Sequence, residues 1–264
     1  MKKLLILFLS VGFAGSFYNI SSGTSTVPVV SAGYDVEADT RTNVDKLSDQ
    51  DPGVRKRAIY SLSAEKKQGS IKYVMGMLND PDAGVREAAI RVLGDTGKKE
   101  VVGPAVLATL RKERETAPVI TGMSVLSKMR YTPAIPVIKS KMEHPFPLIR
   151  TYAIVSLAEF NDPSSYQAIK EKINDPAEGV RIEVMRVCAK KKITSAIPDI
   201  VKNMKHPISV VRREAAAALG EIGGRVEIQE LEKLLDDTDM FVVKVTKEAI
   251  EKISARTEKG GIKR

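Results

Sequence analysis

Two histidines, one cysteine and two series of regularly spaced basic residues are the side chains of this 264-residue chain that could do chemistry. Paired histidines could hold a metal, and a lone thiolate could act as a nucleophile. Rows of lysine and arginine could recognise carboxylates, phosphates or an anionic surface. With Cys188 as its one cysteine, the chain can form neither an internal disulfide nor a multi-cysteine metal site. The sequence contains no paired-cysteine metal motif, HExxH, phosphate-binding loop or nucleophile elbow. The first basic series is Arg55, Arg86, Arg150, Arg181 and Arg212. The second is Lys66, Lys67, Lys98, Lys99, Lys128, Arg130, Lys190, Lys191 and Lys192.

What positions these residues is a repeat. Val54, Val85, Pro118, Ile149, Val180, Val211 and Val242 follow one another at spacings of 31, 33, 31, 31, 31 and 31 residues. Eight residues after each stands Leu62, Leu93, Leu126, Leu157, Cys188, Leu219 or Ile250, on nearly the same face of a helix. Between them runs a row of mostly small residues, Ala58, Ala89, Gly122, Ala153, Val184 and Ala215, which lets neighbouring helices approach closely. This is helix A of each unit. Asp80-Pro81 and Asp175-Pro176 read as its N-cap and first helical position, with His144-Pro145 and His206-Pro207 in the same slot, and Gly94 and Gly220 read as its stops. A second helix, B, follows, marked by Ile71 and Leu78, Val102 and Leu110, Ile135 and Met142, Ile197 and Met204, and Ile228 and Leu235. Six such units are expected, with Leu47 ending a preceding helix and residues 241–253 supplying a last helix A, in which Lys247 suits a polar cap.

Segments such as NDPDAGVREAAIRVLGDTG (79–97) and HPISVVRREAAAALGEIG (206–223) resemble HEAT repeats of the short, phycobilisome-lyase-like type, over about residues 43–254. The resemblance implies an all-α, right-handed solenoid of about six and a half helical hairpins. It is specific for the fold and unspecific for function, since repeats of this type serve in scaffolds, chromophore lyases, hydroxylases and nucleic-acid proteins. In such repeats the recurring arginine belongs to a ladder with acidic residues of the inter-repeat turns. Here that implies a structural role for Arg55, Arg86, Arg150, Arg181 and Arg212, with Asp51, Asp82, Asp175 and Asp239 as candidate partners. Val119 and Val243 interrupt the ladder, and the 33-residue spacing marks the third unit as the irregular joint.

The period also decides what the reactive residues can do. His144 and His206 are two periods apart, roughly 20 Å at about 10 Å per helix layer, so they cannot share a metal. Cys188 fills a leucine slot and reads as a small buried hydrophobe. Met75, Met77, Met123, Met142, Met185 and Met204 lie at or near core slots. No catalytic set, cofactor or metal site is therefore expected. The second basic series falls near the A-to-B turns, which stacking would align along one edge. Two readings stay open for that edge: solvated lysines favoured at helix ends, or a contact for acidic proteins, anionic lipid or another polyanion.

The chain begins with Lys2 and Lys3, an uncharged run from Leu4 to Ala14, and small residues at Gly15 and Ser16. That is the layout of a secretory signal peptide, or of a retained anchor at the short limit for a membrane span. The expected organisation is a signal or anchor over 1–22, a flexible lead-in over 23–42, the solenoid over 43–254 and a basic tail over 255–264. The function expected is an exported scaffold, most simply in a bacterial envelope, that binds a protein partner, an acidic one fitting the basic edge. Membrane contact would come only through the N-terminal segment. With aromatic residues at 5%, base stacking has little support, so nucleic acid is a weaker partner; polyanion binding and a chromophore-lyase-like activity are the alternatives.

Overall fold

The computed structural model describes residues 40–65 and 69–261, with side chains through Glu258. The expected leader, nearly all of the lead-in, and Lys66 and Lys67 lie outside the described residues. Within them the chain forms thirteen α-helices and no strand. Six A–B hairpins follow in order: α1 (Pro52–Ala64) with α2 (Ser70–Gly76), α3 (Ala83–Thr96) with α4 (Lys99–Lys112), α5 (Thr116–Lys128) with α6 (Ile135–Lys141), α7 (Pro147–Glu159) with α8 (Pro163–Glu171), α9 (Glu178–Lys190) with α10 (Ile197–Asn203), and α11 (Ser209–Ile222) with α12 (Arg225–Glu232). A last helix A, α13 (Met240–Gly261), closes the series and runs on through most of the segment expected as a tail. This is an all-α solenoid, built as the 31-residue period predicts. None of the described helices is long and apolar enough to cross a membrane.

The A helices pack on one another in an unbroken row, α1 to α3 to α5 to α7 to α9 to α11 to α13, while each B helix packs on its own A helix or the next. Their shared core is continuous. Ala58, Ile59, Val85, Ala89, Ile90, Val119, Met123, Ile149, Ala153, Ile154, Val180, Val184, Met185, Val211, Ala215 and Val242 are all buried, as is Cys188. A hairpin alone would leave one of these faces wet, so each unit is folded only against its neighbours.

Two glycines do something other than what their position in the sequence implies. Gly94 and Gly220 do not stop helices; α3 continues to Thr96 and α11 to Ile222. They sit where the next A helix crosses. A Cβ at Gly94 would lie 2.6 Å from a Val125 methyl, and one at Gly220 would lie 2.9 Å from the Cα of Ala249. The helices end instead at Gly97 and Gly223, whose N–H groups reach the carbonyls of Leu93 and Leu219.

The turns from helix B to the next helix A are joined by a repeated arginine staple. Arg55 grips Asp80 through Nε and Nη2, both at 2.7 Å, and donates from Nη1 to the carbonyls of Asp49 and Gln50. One turn is thus tied to the next. Arg86 does the same with Glu113, Arg150 with Asp175 and Arg212 with Asp237. In each case Nη1 donates to two carbonyls of the preceding turn. The four acids retain only 3–6% exposure, so these are buried, bidentate pairs.

The acid slot differs from the one expected. Of Asp51, Asp82, Asp175 and Asp239, only Asp175 meets an arginine in this way. Asp51, Asp82 and Asp239 cap the helices that follow them, accepting from the N–H groups of Gly53, Val85 and Phe241. Conversely Asp80 and Asp175 are not N-caps, since α3 and α9 start after Asp82 and Ala177. The arginine fork must span from one turn to the next, which places its acid two residues before the cap.

Arg150→Met should lower unfolding free energy by about 3 kcal/mol, because it leaves the Asp175 carboxylate buried without its partner; urea denaturation measures this. The Arg212 guanidinium holds the Asp237 carboxyl below its ordinary range. That group contributes stability above the unfolded carboxyl pKa of about 4, and the contribution is lost as pH falls through the lower folded value. A flat stability profile from pH 7 to 3 would contradict the staple. Gly220→Ala should destabilise by about 1–3 kcal/mol through overpacking, against the usual helix preference for alanine. Gly179→Ala, whose Cβ meets no heavy atom within 4 Å, should be neutral or slightly stabilising in the same assay.

Candidate partner-binding surface

The staples fix the B-to-A turns, and those turns with the helix starts beside them carry all the exposed large apolar groups of the C-terminal half except Val226, which stands at the start of α12. Asp51, Asp82 and Asp239 cap α1, α3 and α13, whereas the cap positions of α7, α9 and α11 are Phe146, Ala177 and Ile208, with no side-chain cap. An apolar residue at this position forgoes about 1 kcal/mol of capping. Two of the three are also left in water: Phe146 is 58% and Ile208 41% exposed. Two residues further on, Leu148 and Val210 are exposed as well, and Met240 and Phe241 continue the row on α13. Tyr152, one helical turn after Leu148, extends it along α7.

Between the apolar ends of α7 and α11 lie the smaller Ala177 and Gly179 of α9. The row therefore has two ridges with a lower step between them, and a side chain at Gly179 would point into open space. On the N-terminal side of the row, the helices expose few charges, although α9 exposes Glu178 and Arg186. α5 exposes a charge only at Lys128, and α7 only at Glu159, because Arg150 is taken up in its staple. Exposed apolar groups repeated at neighbouring helix starts, here separated on α9 by the exposed Glu178, are candidate interaction sites. Sequence reasoning missed this surface because it treated the cap slot by its acids. The signal was present: Phe146 and Ile208 stand at the position of Asp51, Asp82 and Asp239 in the repeat.

The expected basic edge is only partly free. Lys98, Lys99, Lys128 and Lys190 are exposed. Arg130, Lys191 and Lys192 are engaged in holding the stack. Arg130 and Lys192 adopt left-handed backbone (φ 53° and 56°), as does Asn161 (φ 54°), closing helices A of the third to fifth units. From there Arg130 donates to the carbonyl of Phe160 at 3.2 Å and Lys192 to that of Glu221 at 2.9 Å, each in the next unit. Lys191 reaches back to Asn161. Arg130 and Lys192 satisfy the carbonyl ends of neighbouring helices, where a positive charge is favoured, while Lys191 meets the Asn161 side-chain amide oxygen. Lys128 and Lys190 meanwhile belong to a row of alternating sign, Asp95, Lys128, Glu159, Lys190, Glu221 and Lys252, one per unit. Lys252 pairs with Glu221 at 3.0 Å. The row is as acidic as it is basic.

The other reactive residues are part of the frame. Cys188 is buried, and burial pushes its thiol up to about 12, so it is not a thiolate at neutral pH. His144 and His206 stand in the acid slot of two turns, each accepting a backbone N–H through Nδ1 at 3.2 Å. Of the structural arginines, Arg181 alone lacks a carboxylate fork. Its Nε donates to the Asp175 carbonyl and Nη1 lies 3.5 Å from the Asn203 amide oxygen.

Hairpins stacked A on A around one continuous core, with inter-turn arginine staples, define a helical-repeat solenoid. The chain belongs to the HEAT repeat family, whose model matches residues 40–122 and 169–251, more than half of the sequence. The unmatched stretch between them holds α6, α7 and the start of α8, where the exposed apolar row begins. No curated protein matches the sequence significantly. Among solved structures the chain is similar to YibA of Escherichia coli, with 20% identity and a TM-score of 0.62 over 81% of this chain and 80% of that one. It is also similar to the complex of CpcE and CpcF of phycocyanin lyase from Nostoc sp. PCC7120, with 22% identity and a TM-score of 0.50 over 68% of this chain and 75% of that one. At such identities these likenesses concern the fold.

Phe146→Asp and Ile208→Asp should each raise stability by about 1 kcal/mol, since each supplies the missing cap. Thermal unfolding of the two single variants checks this. A loss of stability would mean that these side chains pack against the fold and are not held out for a partner.

Proposed function

We propose that this protein is an exported scaffold that works by binding a protein partner across the apolar row at the starts of α7, α11 and α13. The observation that carries the reading is the replacement of helix caps by exposed Phe146 and Ile208, a local loss of stability that folding does not require. Binding in place of catalysis is supported by the residues that could react, because Cys188, His144 and His206 are each committed to core or turn. Export is supported by Lys2, Lys3 and the uncharged run that follows. A protein contact fits the surface better than a polyanion does. The exposed groups are apolar and aromatic, and three of the candidate basic residues already hold neighbouring units together.

The test is a crosslinking pull-down from the envelope of the source cell with three forms of the full chain: wild type, Phe146→Asp/Ile208→Asp, and Lys98, Lys99, Lys128 and Lys190 changed to Gln. A protein captured by wild type and the Gln variant, and lost from the Asp variant, is the expected result. Capture lost only in the Gln variant would move the contact to the basic edge. Capture that falls steeply with salt would favour a polyanion.

A further inference from the structure

The turn before α1 and the six B-to-A turns share one hydrogen bond. Asp49, Asp80, Glu113, His144, Asp175, His206 and Asp237 each accept the backbone N–H of the residue two positions on, at 2.8–3.2 Å. Five acceptors are carboxylates and two are imidazoles. The exceptions are the only histidines in the chain, and they hold the N–H groups of Phe146 and Ile208, the uncapped apolar residues of the proposed partner surface.

The cations that would grip an acid in these two slots are also changed. Val119 stands where the staple arginine for the His144 turn would be, and Arg181, which would serve the His206 turn, is turned to Asp175 and Asn203. Each turn therefore rests on a neutral nitrogen acceptor. A carboxylate accepts at any pH above about 4, but an imidazole accepts only while Nδ1 carries no proton, and it titrates near pH 6.5.

We propose that His144 and His206 are proton-sensitive latches that hold Phe146 and Ile208 in their binding geometry and release them when the imidazoles protonate. This rests on the reading of the apolar row as the partner surface. Protonation turns Nδ1 from acceptor to donor and sets it against the N–H it had held. It also adds a cation beside others. His144 faces Lys141 and Arg150, with Glu143 and Asp175 close by but paired to Lys172 and Arg150. His206 lies beside Lys205 in sequence and gives its carbonyl to Arg212, which is paired with Asp237, and Arg181 of α9 reaches Asn203, three residues before His206. For His144, burial and then the charges of Lys141 and Arg150 push the imidazole pKa down. At His144 the neutral form is the one the fold prefers, so that latch is fully closed above about pH 6.5 and opens as pH falls through the lower folded value. The ring of His144 also rests 5.5 Å from that of Phe146, so movement of one is felt by the other.

The test is NMR of the full chain without any partner, from pH 7.5 to 5. The expected result is that both histidines carry their proton on Nε2 at pH 7.5. The amide protons of Phe146 and Ile208 should move with the imidazole titrations, while those of Asp82 and Ala177, held by Asp80 and Asp175, stay fixed. In His144→Asn/His206→Asn, which keeps an acceptor and removes the titration, all four amides should be flat. Nδ1-protonated tautomers at pH 7.5, or Phe146 and Ile208 amides indifferent to the titration, would overturn the latch. A coupled titration together with an empty pull-down would keep the latch and remove the partner reading. A captured protein released equally at pH 5.5 from wild type and the Asn variant would keep the partner and remove the latch as its control.

Discussion

The rest of the molecule depends on the arginine staple between successive turns. A solenoid unit has no core of its own, so the relative placement of neighbours must be fixed at their contacts. The A helices supply close packing through small residues, but a stack of smooth small-residue faces could slide. The bidentate grip of Arg55, Arg86, Arg150 and Arg212 on an acid one turn away sets the register. The same guanidinium satisfies two carbonyls of its own turn, so the charge is buried with its donors used. That completeness is what makes a buried ion pair tolerable.

The staple also shows where the protein departs from regularity. Of the six B-to-A turns, the two without a fork hold His144 and His206, and they lead directly into the uncapped helices α7 and α11. Relaxed joining, weaker capping and exposed apolar side chains coincide at two places two units apart. A structural requirement would spread such features evenly along the repeat. Their coincidence in the C-terminal half, beginning in the stretch the family model leaves unmatched, is the pattern of a surface shaped for contact.

Much of the frame was legible in the sequence. A period of 31 residues with apolar groups eight apart can hardly be satisfied except by stacked hairpins, and six units with a final helix A follow from it. The arginines were legible as a ladder for the same reason. Their partners were not, because Asp49, Asp51, Asp80 and Asp82 are equally good acids two residues apart, and only the span of the fork tells them apart. Gly94 and Gly220 failed similarly: near a helix end, glycine as a stop and glycine as a crossing point look the same until the next helix is in place. The basic edge was read as one surface, yet its members divide three ways, into carbonyl caps such as Arg130 and Lys192, the alternating row of Lys128 and Lys190, and exposed lysines such as Lys98.

The sequence by itself determined the repeat, its number, its buried faces and the burial of its one cysteine, because each of these follows from periodicity and from where apolar groups must go. Only the tertiary structure decided which acid meets which arginine, which cations are already occupied by a neighbour's carbonyls, and which apolar residues remain in water. Those outcomes turn on distances between units that lie 25 or more residues apart in the chain, and no local spacing encodes them.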